Sequence, residues 1–391
     1  MFYIGIDIAS QKHDCCILSP IGKELASFTF LNNAEGFRLL LSKIPSLPEE
    51  TKIGLEATGI YGLNLHSFLR RKGFDIITIN PLIIKNRRSG TTLRKTKTDK
   101  SDARFLAETL MREDFQPDQD IVYHIQKLKS LSRSRFHFVQ NRSSLKNQVR
   151  AILTITFPEF STFFSDIFGT SALSLLKLYP TAKCFSEADP EELAELLRKS
   201  SRGRFGREKV QALCSAAASS VGTHSAAKAL ELPMLLEQID LLDKQIKRFE
   251  MEIEVILTQT DTVLLTIPGI GPVLGSLILG EIGDIHRFAN AGKLLAFAGL
   301  EPSVYQSGKF TPASGSMVKR GSPYLRWALI QAAKYAAKFD PTFAAYLTKK
   351  RNEGKHYNVA ISHLAKKLVR VIFSILKNNS PYSVNYTPLS T

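Results

Sequence analysis

Residues 2–10, FYIGIDIAS, decide the fold of the N-terminal third. The alternation is that of a strand: Ile4, Ile6 and Ile8 take one face, and Asp7 shares the other with Tyr3 and Gly5. Short β-rich segments follow at 13–20 (HDCCILSP) and 24–31 (ELASFTFL), separated by turn residues. Then come a helical stretch near EGFRLLLSKI (35–44), a strand TKIGLEATG (51–59), a helix YGLNLHSFLRRKG (61–73) and a strand FDIITINP (74–81). A helix that starts within KTKTDKSDARFLAE (95–108) closes the series. Three consecutive strands predict an antiparallel meander, and the later β-α-β-α alternation adds parallel strands.

That order is the one found in the ribonuclease H-like fold, where the first strand, the fourth strand and the last helix meet at one point. The acids offered there are Asp7, Glu56, Asp99 and Asp102. Glu56 ends its strand just before a glycine turn, the position where open α/β sheets put functional groups. Asp99 and Asp102 are three residues apart, on one face of the helix that starts there. Taken singly, each reads as a surface acid or as a carboxylate welcomed by a helix N-terminus. Together, four carboxylates would raise one another's pKa values and destabilise the fold unless cations neutralise them. Oxygen-only ligands suit Mg²⁺ or Mn²⁺. Two such ions about 4 Å apart would activate a nucleophile and stabilise the leaving oxygen in phosphodiester chemistry. The neighbouring Arg94, Lys95, Lys97, Lys100 and Arg104 would then face the substrate backbone.

Bulk properties narrow the partner. The chain has 391 residues, 44% hydrophobic and 23% charged, so it is globular and long enough for two or three domains. Fifty-two Lys and Arg against 36 Asp and Glu leave a net charge of +16. Such an excess favours a polyanion, nucleic acid before anionic membrane. No apolar run approaches the ~20 residues that span a bilayer, and the N-terminus reads as a strand rather than a signal peptide. We expect a cytoplasmic, nucleoid-associated protein with no membrane partner. Cys15, Cys16, Cys184 and Cys214 show no metal spacing, and the eight histidines are scattered, which argues against zinc.

Beyond residue 115 the signals are helical. SLSRSRFHFVQNRSSLKNQVRAIL (130–153) carries Arg133, Arg135, Arg142, Lys146 and Arg150 with no acid, as a helix tracking phosphates would. Between 235 and 256, Leu235, Ile239, Leu242, Ile246, Phe249, Ile253 and Ile256 alternate at spacings of four and three, a heptad seam. It could pair with a second copy or with the upstream helix of the same chain. The expected organisation is a catalytic α/β domain at 1–115, a helical coiled-coil linker at 116–260, a mainly helical domain at 261–378 and a disordered tail at 379–391.

Two features of the last domain suit nucleic acid. The turn in IPGIGPVLG (267–275) could present the backbone N–H groups of Gly269 and Gly271 to a phosphate. YQSGKFTPASGSMVKRGSPYLR (305–326) is dense in Ser, Gly, Lys and Arg, with Lys319, Arg320 and Arg326 as candidate contacts. It could be a flexible loop or one whose serine attacks phosphorus, and spacing alone selects none of Ser303, Ser307, Ser314, Ser316 and Ser322.

The ordered set GIDIAS, LEATGIY, KTDKSDA, PGIGP, AFAGLEPSVYQSGK and KRGSPYLRWAL resembles the DEDD transposases of the insertion-sequence 110 and 1111 families over most of residues 1–340. The resemblance implies a RuvC-like domain whose metal-binding set is Asp7, Glu56, Asp99 and Asp102, a coiled-coil linker and a C-terminal transposase domain. It implies that Ser307, the serine of "QSG", is a nucleophile completing a composite active site. It also implies that double-stranded DNA (element ends and target) is recombined, that a structured non-coding RNA guides the choice of site, and that the protein works as a dimer or tetramer. Rival readings are a Holliday-junction-type endonuclease, which would need only the acids, and an actin-like or sugar-kinase ATPase. The ATPase would need a second Asp-Gly phosphate loop, and none is present.

Overall fold

The computed structural model describes residues 1–45, 47–56, 61–79, 84, 99–115, 117, 123–302 and 317–384. They form two compact units, residues 1–120 and 121–391. The first is built on a five-stranded sheet of β1 (Phe2–Asp7), β2 (Lys12–Leu18), β3 (Glu24–Leu31), β4 (Thr51–Glu56) and β5 (Asp75–Ile79). Strand order is β3-β2-β1-β4-β5. The meander β1-β2-β3 is antiparallel, whereas β4 pairs parallel to β1 and β5 parallel to β4. This is the ribonuclease H-like order expected from the segment pattern.

Alternation along the strands explains the two layers that flank the sheet. Ile4, Ile6 and Ile53 point to α1 (Ala34–Lys43) and α2 (Leu63–Arg71), where they pack with Phe37, Leu40, Leu65 and Leu69. Asn33 caps α1 by accepting from the Gly36 N–H at 2.9 Å, which fixes where the chain turns back over the sheet. The opposite face is covered by α3 (Asp99–Arg112), whose Ala103 and Ala107 pack on Cys16 and Leu18. Cys15 and Cys16 thus face opposite layers as buried free thiols. Gly5 is what lets α3 come so close. A Cβ there would stand 2.1 Å from the Ala103 carbonyl and 2.4 Å from the Ala107 nitrogen.

In the second unit, α4 (Tyr123–Thr156) and α9 (Ala226–Thr260) are helices of 34 and 35 residues. At ~1.5 Å per residue each is roughly 50 Å long. They run antiparallel, as the ion pairs Lys127–Glu252, Arg135–Glu250 and Arg142–Asp243 require. The heptad seam therefore meets the upstream helix of its own chain: Leu235, Ile239, Ile246, Ile253 and Ile256 are buried, and Phe249 packs edge-on against Phe138. At one end of the pair, α5 (Thr170–Leu178), α6 (Ala182–Ser186), α7 (Pro190–Ser200) and α8 (Arg207–Ala218) build a core around Phe157, Phe160 and Phe185. At the other end, a second core joins α10 (Pro272–Ile282), α11 (Ala291–Phe297), α12 (Pro323–Phe339), α13 (Pro341–Asn352) and α14 (Tyr357–Asn378). No described helix is long and apolar enough to cross a membrane.

Candidate active site

Register brings two of the predicted acids to one edge. Ile6 pairs with Leu55 across parallel strands, so the next residues, Asp7 and Glu56, end β1 and β4 side by side. Both are half-buried. They belong to the face covered by α3, the one on which Gly5 meets Ala103 and Gly54 meets Leu110. Asp102 precedes Ala103 on that helix and is buried, 8% exposed. Asp99 opens the same helix; its side chain lies outside the described residues.

One further carboxylate of this face escaped the sequence reading. Asp14 on β2 is the register partner of Asp7 and so shares its face. It is buried, and Thr29 Oγ1 donates to its Oδ1 at 2.6 Å. The signal was present in sequence: Asp14, Cys16 and Leu18 alternate just as Asp7, Gly5 and Tyr3 do. The donors at this end of the sheet are hard oxygens, a chemistry that fits Mg²⁺ or Mn²⁺. Among the described residues, no three such groups come close enough to enclose an ion.

In the second unit Ser307 belongs to 303–316, outside the described residues, as do Arg94, Lys95 and Lys97 in the first. The ends of the serine segment are held together. Pro302 bridges Met317, and the Val318 N–H donates to the Glu301 carbonyl at 2.9 Å. Arg326 is half-buried and donates to the Lys319 carbonyl at 3.1 Å, while Lys319 and Arg320 are exposed. Ser322 caps α12, accepting from the Leu325 N–H at 3.1 Å, and donates to Glu281 at 2.8 Å.

Glu281 is the second residue that the sequence reading missed. It is 1% exposed on the apolar α10 and takes Arg133 in a two-pronged pair at 2.5 and 2.9 Å. Gly280 makes the approach possible, since a Cβ there would stand 2.7 Å from Lys129 Cα on α4. Burial alone would raise the Glu281 carboxyl. The hydrogen bonds from Arg133 and Ser322, with the charges of Lys129 and Arg133, hold it below its ordinary value instead. Arg133 also lies 4.6 Å over the Tyr324 ring, whose hydroxyl is 2.8 Å from His137 Nε2.

The basic run of α4 is thus partly neutralised from within. Arg135 pairs with Glu250 at 2.6 Å and Arg142 with Asp243. Lys146 and Arg150 lie over the Phe168 ring, 4.6 and 5.0 Å from its centroid. Of the turn glycines, Gly269 is left-handed and pressed against Tyr335, so packing requires it; Gly271 caps α10 and faces open space.

Comparison with known proteins adds an independent line. Residues 4–158 match the DEDD transposase family model of IS110, and residues 261–348 match the transposase model of the IS116/IS110/IS902 family. The chain is 27% identical to the insertion element IS116 protein of Streptomyces clavuligerus, over 96% of this chain and 94% of the relative. It is 25% identical to the pilin gene-inverting protein of Moraxella bovis, over 97% of both chains. It is 24% identical to the transposase for insertion sequence element IS1111A of Coxiella burnetii, over 97% of this chain and 90% of the relative.

Proposed function

The chain belongs to the DEDD transposase family of insertion sequences IS110 and IS1111, and from that premise we propose that it excises and inserts its element by a metal-assisted, serine-mediated recombination of duplex DNA. The observation that carries this reading is the adjacency of Asp7 and Glu56 at neighbouring strand ends, beneath the helix that bears Asp99 and Asp102. These four acids hold the cation. A divalent ion bound there supplies positive charge to the oxygens around the reacting phosphorus. The carboxylates fix its position, and α3, drawn onto Gly5, fixes theirs.

Ser307 is the nucleophile in this reading. Its Oγ forms the bond to phosphorus as its proton leaves, and the displaced sugar oxygen departs as a hydroxyl. The DNA end stays joined to the protein until the sugar hydroxyl freed from a second cut strand attacks that phosphorus, which returns the serine hydroxyl and completes the exchange. The bridge between Pro302 and Met317 brings together the two described residues that flank the segment carrying Ser307. Among the basic residues, Lys146, Arg150, Lys319 and Arg320 have no carboxylate partner among the described residues and suit phosphate contact best. The net charge of +16 supports a polyanionic partner, and in this reading the partners are the DNA duplex and an element-encoded guide RNA.

A homo-oligomer is supported by α9. Leu230, Met234, Leu241, Met251 and Val255, each more than half exposed, line its outer face. An antiparallel second copy would match Leu230 with Val255, Met234 with Met251 and Glu237 with Arg248. The reading is tested by Asp102→Asn, which should abolish cleavage of an element-end duplex while leaving fold and DNA affinity largely intact. With a carboxylate removed from a repelling group, the melting temperature without Mg²⁺ should hold or rise. Undiminished cleavage by this variant would end the metal-site assignment.

A further inference from the structure

Between residues 349 and 378 stand eight lysines and arginines and one acid, Glu353. The run covers the end of α13, the following turn and α14, beyond the residue 348 at which the family match ends. Part of this charge has an ordinary use. Lys349, Lys350 and Arg351 lie in the last turn of α13, where the helix carbonyls favour cations. Lys350 also bonds both oxygens of Glu353 at 2.9 Å, and Lys367 lies 5.0 Å from the Tyr346 ring centroid. Lys377 has the same use in the last turn of α14, and Lys355 lies 3.9 Å from Glu353, whereas Lys366 and Arg370 make no ion pair among the described residues. His363, Lys366 and Arg370 fall on one face in the middle of α14, far from either helix end.

The cations crowd together from three elements. Burial, then the charges of Lys366, Lys355 and Lys350, hold the His363 imidazole below its ordinary value, with Glu353 opposing. Burial and then the Arg370 guanidinium push the Lys366 ammonium down, with Glu301 opposing. Among the described residues, the ion pairs of this run all go to Glu353. Like charges so arranged repel, and folding alone does not explain why they were brought together.

We infer that the face formed by Lys355, Lys366 and Arg370 is a binding track for a nucleic-acid phosphodiester backbone, read without regard to base sequence. This inference rests on the recombinase reading above for the identity of the polyanion. The charge of Glu301 acts on Lys366, and the Glu301 carbonyl accepts from the Val318 N–H next to the Pro302–Met317 bridge. An anionic membrane suits the track less, because the apolar face of α14, with Leu364, Leu368 and Ile372 fully buried, is already used in the core.

The test uses the full chain, an unrelated-sequence DNA duplex, a folded RNA hairpin and phosphatidylglycerol vesicles. The triple variant Lys355→Gln, Lys366→Gln, Arg370→Gln should lower the log–log salt slope of duplex binding by about 2–3, since each phosphate contact contributes ~0.9. A charge-matched control, Lys183→Gln, Arg198→Gln, Lys199→Gln, should leave the slope unchanged. Duplex binding should also raise the NMR titration midpoint of His363, and salt that releases the duplex should return it to the free-protein value. A larger loss with the hairpin than with the duplex would assign the track to RNA backbone, within the same inference. An unchanged slope, an equal fall in the control, or a loss confined to vesicles would overturn it. If the wild type binds duplex normally and the triple variant matches it, the track alone fails; if the wild type binds neither duplex nor hairpin, the recombinase reading fails with it.

Discussion

Arg133, Arg135 and Arg142 in α4 and Lys355, Lys366 and Arg370 near the C-terminus come from runs of sequence that look alike, basic and almost free of acids. Their environments differ. Each α4 arginine meets a carboxylate from a helix more than 100 residues away, namely Glu281, Glu250 and Asp243. Lys366 feels the charge of Arg370 and acts on His363, with Glu301 only a minor opposing charge, and neither Lys366 nor Arg370 makes an ion pair among the described residues. Cations of the first kind hold two helices in register; cations of the second kind remain for a partner. Local charge density therefore does not distinguish a folding contact from a binding contact. The distinction lies in what the rest of the chain brings opposite.

The sharpest break of this comparison is at Glu281. Glu281→Gln leaves Arg133 without its counter-charge, and removing one partner of a buried pair is costly. Because the Arg133 side chain is 39% exposed and keeps some water, the expected loss is about 1–3 kcal/mol, at the lower end for such pairs. In a unit of this size that is roughly 2–5 °C in thermal unfolding. The pH dependence has a definite sign. A carboxyl held below its ordinary value stabilises the fold above that value, and the benefit is lost as pH falls through the lowered one. Wild-type stability should therefore drop as pH is taken from 5 to 3, and the Gln variant should show a flatter acid limb. Equal acid limbs would mean that Glu281 is not the titrating group.

A smaller effect separates the two halves of α4. Neutralising Lys146 and Arg150 should reduce the salt slope of DNA binding by about 1–2 with little change in melting temperature. Neutralising Arg135 and Arg142 should do the opposite: less than about 1 in slope, with a loss of about 0.5–1 kcal/mol for each half-exposed pair. Identical slopes for the two double variants would erase the distinction. Smallest of all is the outer face of α9. Leu241→Glu leaves the fold intact, since that side chain is exposed, and should shift the sedimentation profile toward smaller species at micromolar protein. An unshifted profile would remove this face from the assembly.

How much of this could be read in advance depended on range. Ile4, Ile6 and Ile8 announce a strand by period, and the seven seam residues of α9 announce a buried stripe by period, because both signals are local. Asp7 and Glu56 could be expected at one edge because the strand order is legible. Asp14 follows the same alternation, but its neighbours Cys15, Cys16, Ile17 and Leu18 make that strand read locally as packing alone. The partners of Arg133, Arg135 and Arg142 had no local signal; they depend on how α4, α9 and α10 pack. Glu281 had a faint one, a lone acid in the apolar stretch LILGEIG (277–283), which needs a cation or hydrogen-bond donors if it is buried. The C-terminal run was legible as eight cations against one acid, but it lies past the motifs that carry the family resemblance.

The central claim is that Ser307 works as a nucleophile together with the acids at the sheet edge. It is tested most directly by incubating the full-length protein with Mg²⁺ and an end-labelled element-end duplex, then separating the products under denaturing conditions. The account predicts a label that migrates with wild-type protein, no such species for Ser307→Ala, and unchanged duplex affinity in both. A covalent species that persists in Ser307→Ala would contradict the assignment of the serine. Cut DNA from the wild type with no covalent species at all would make water the nucleophile and the protein a nuclease of the junction-resolving kind.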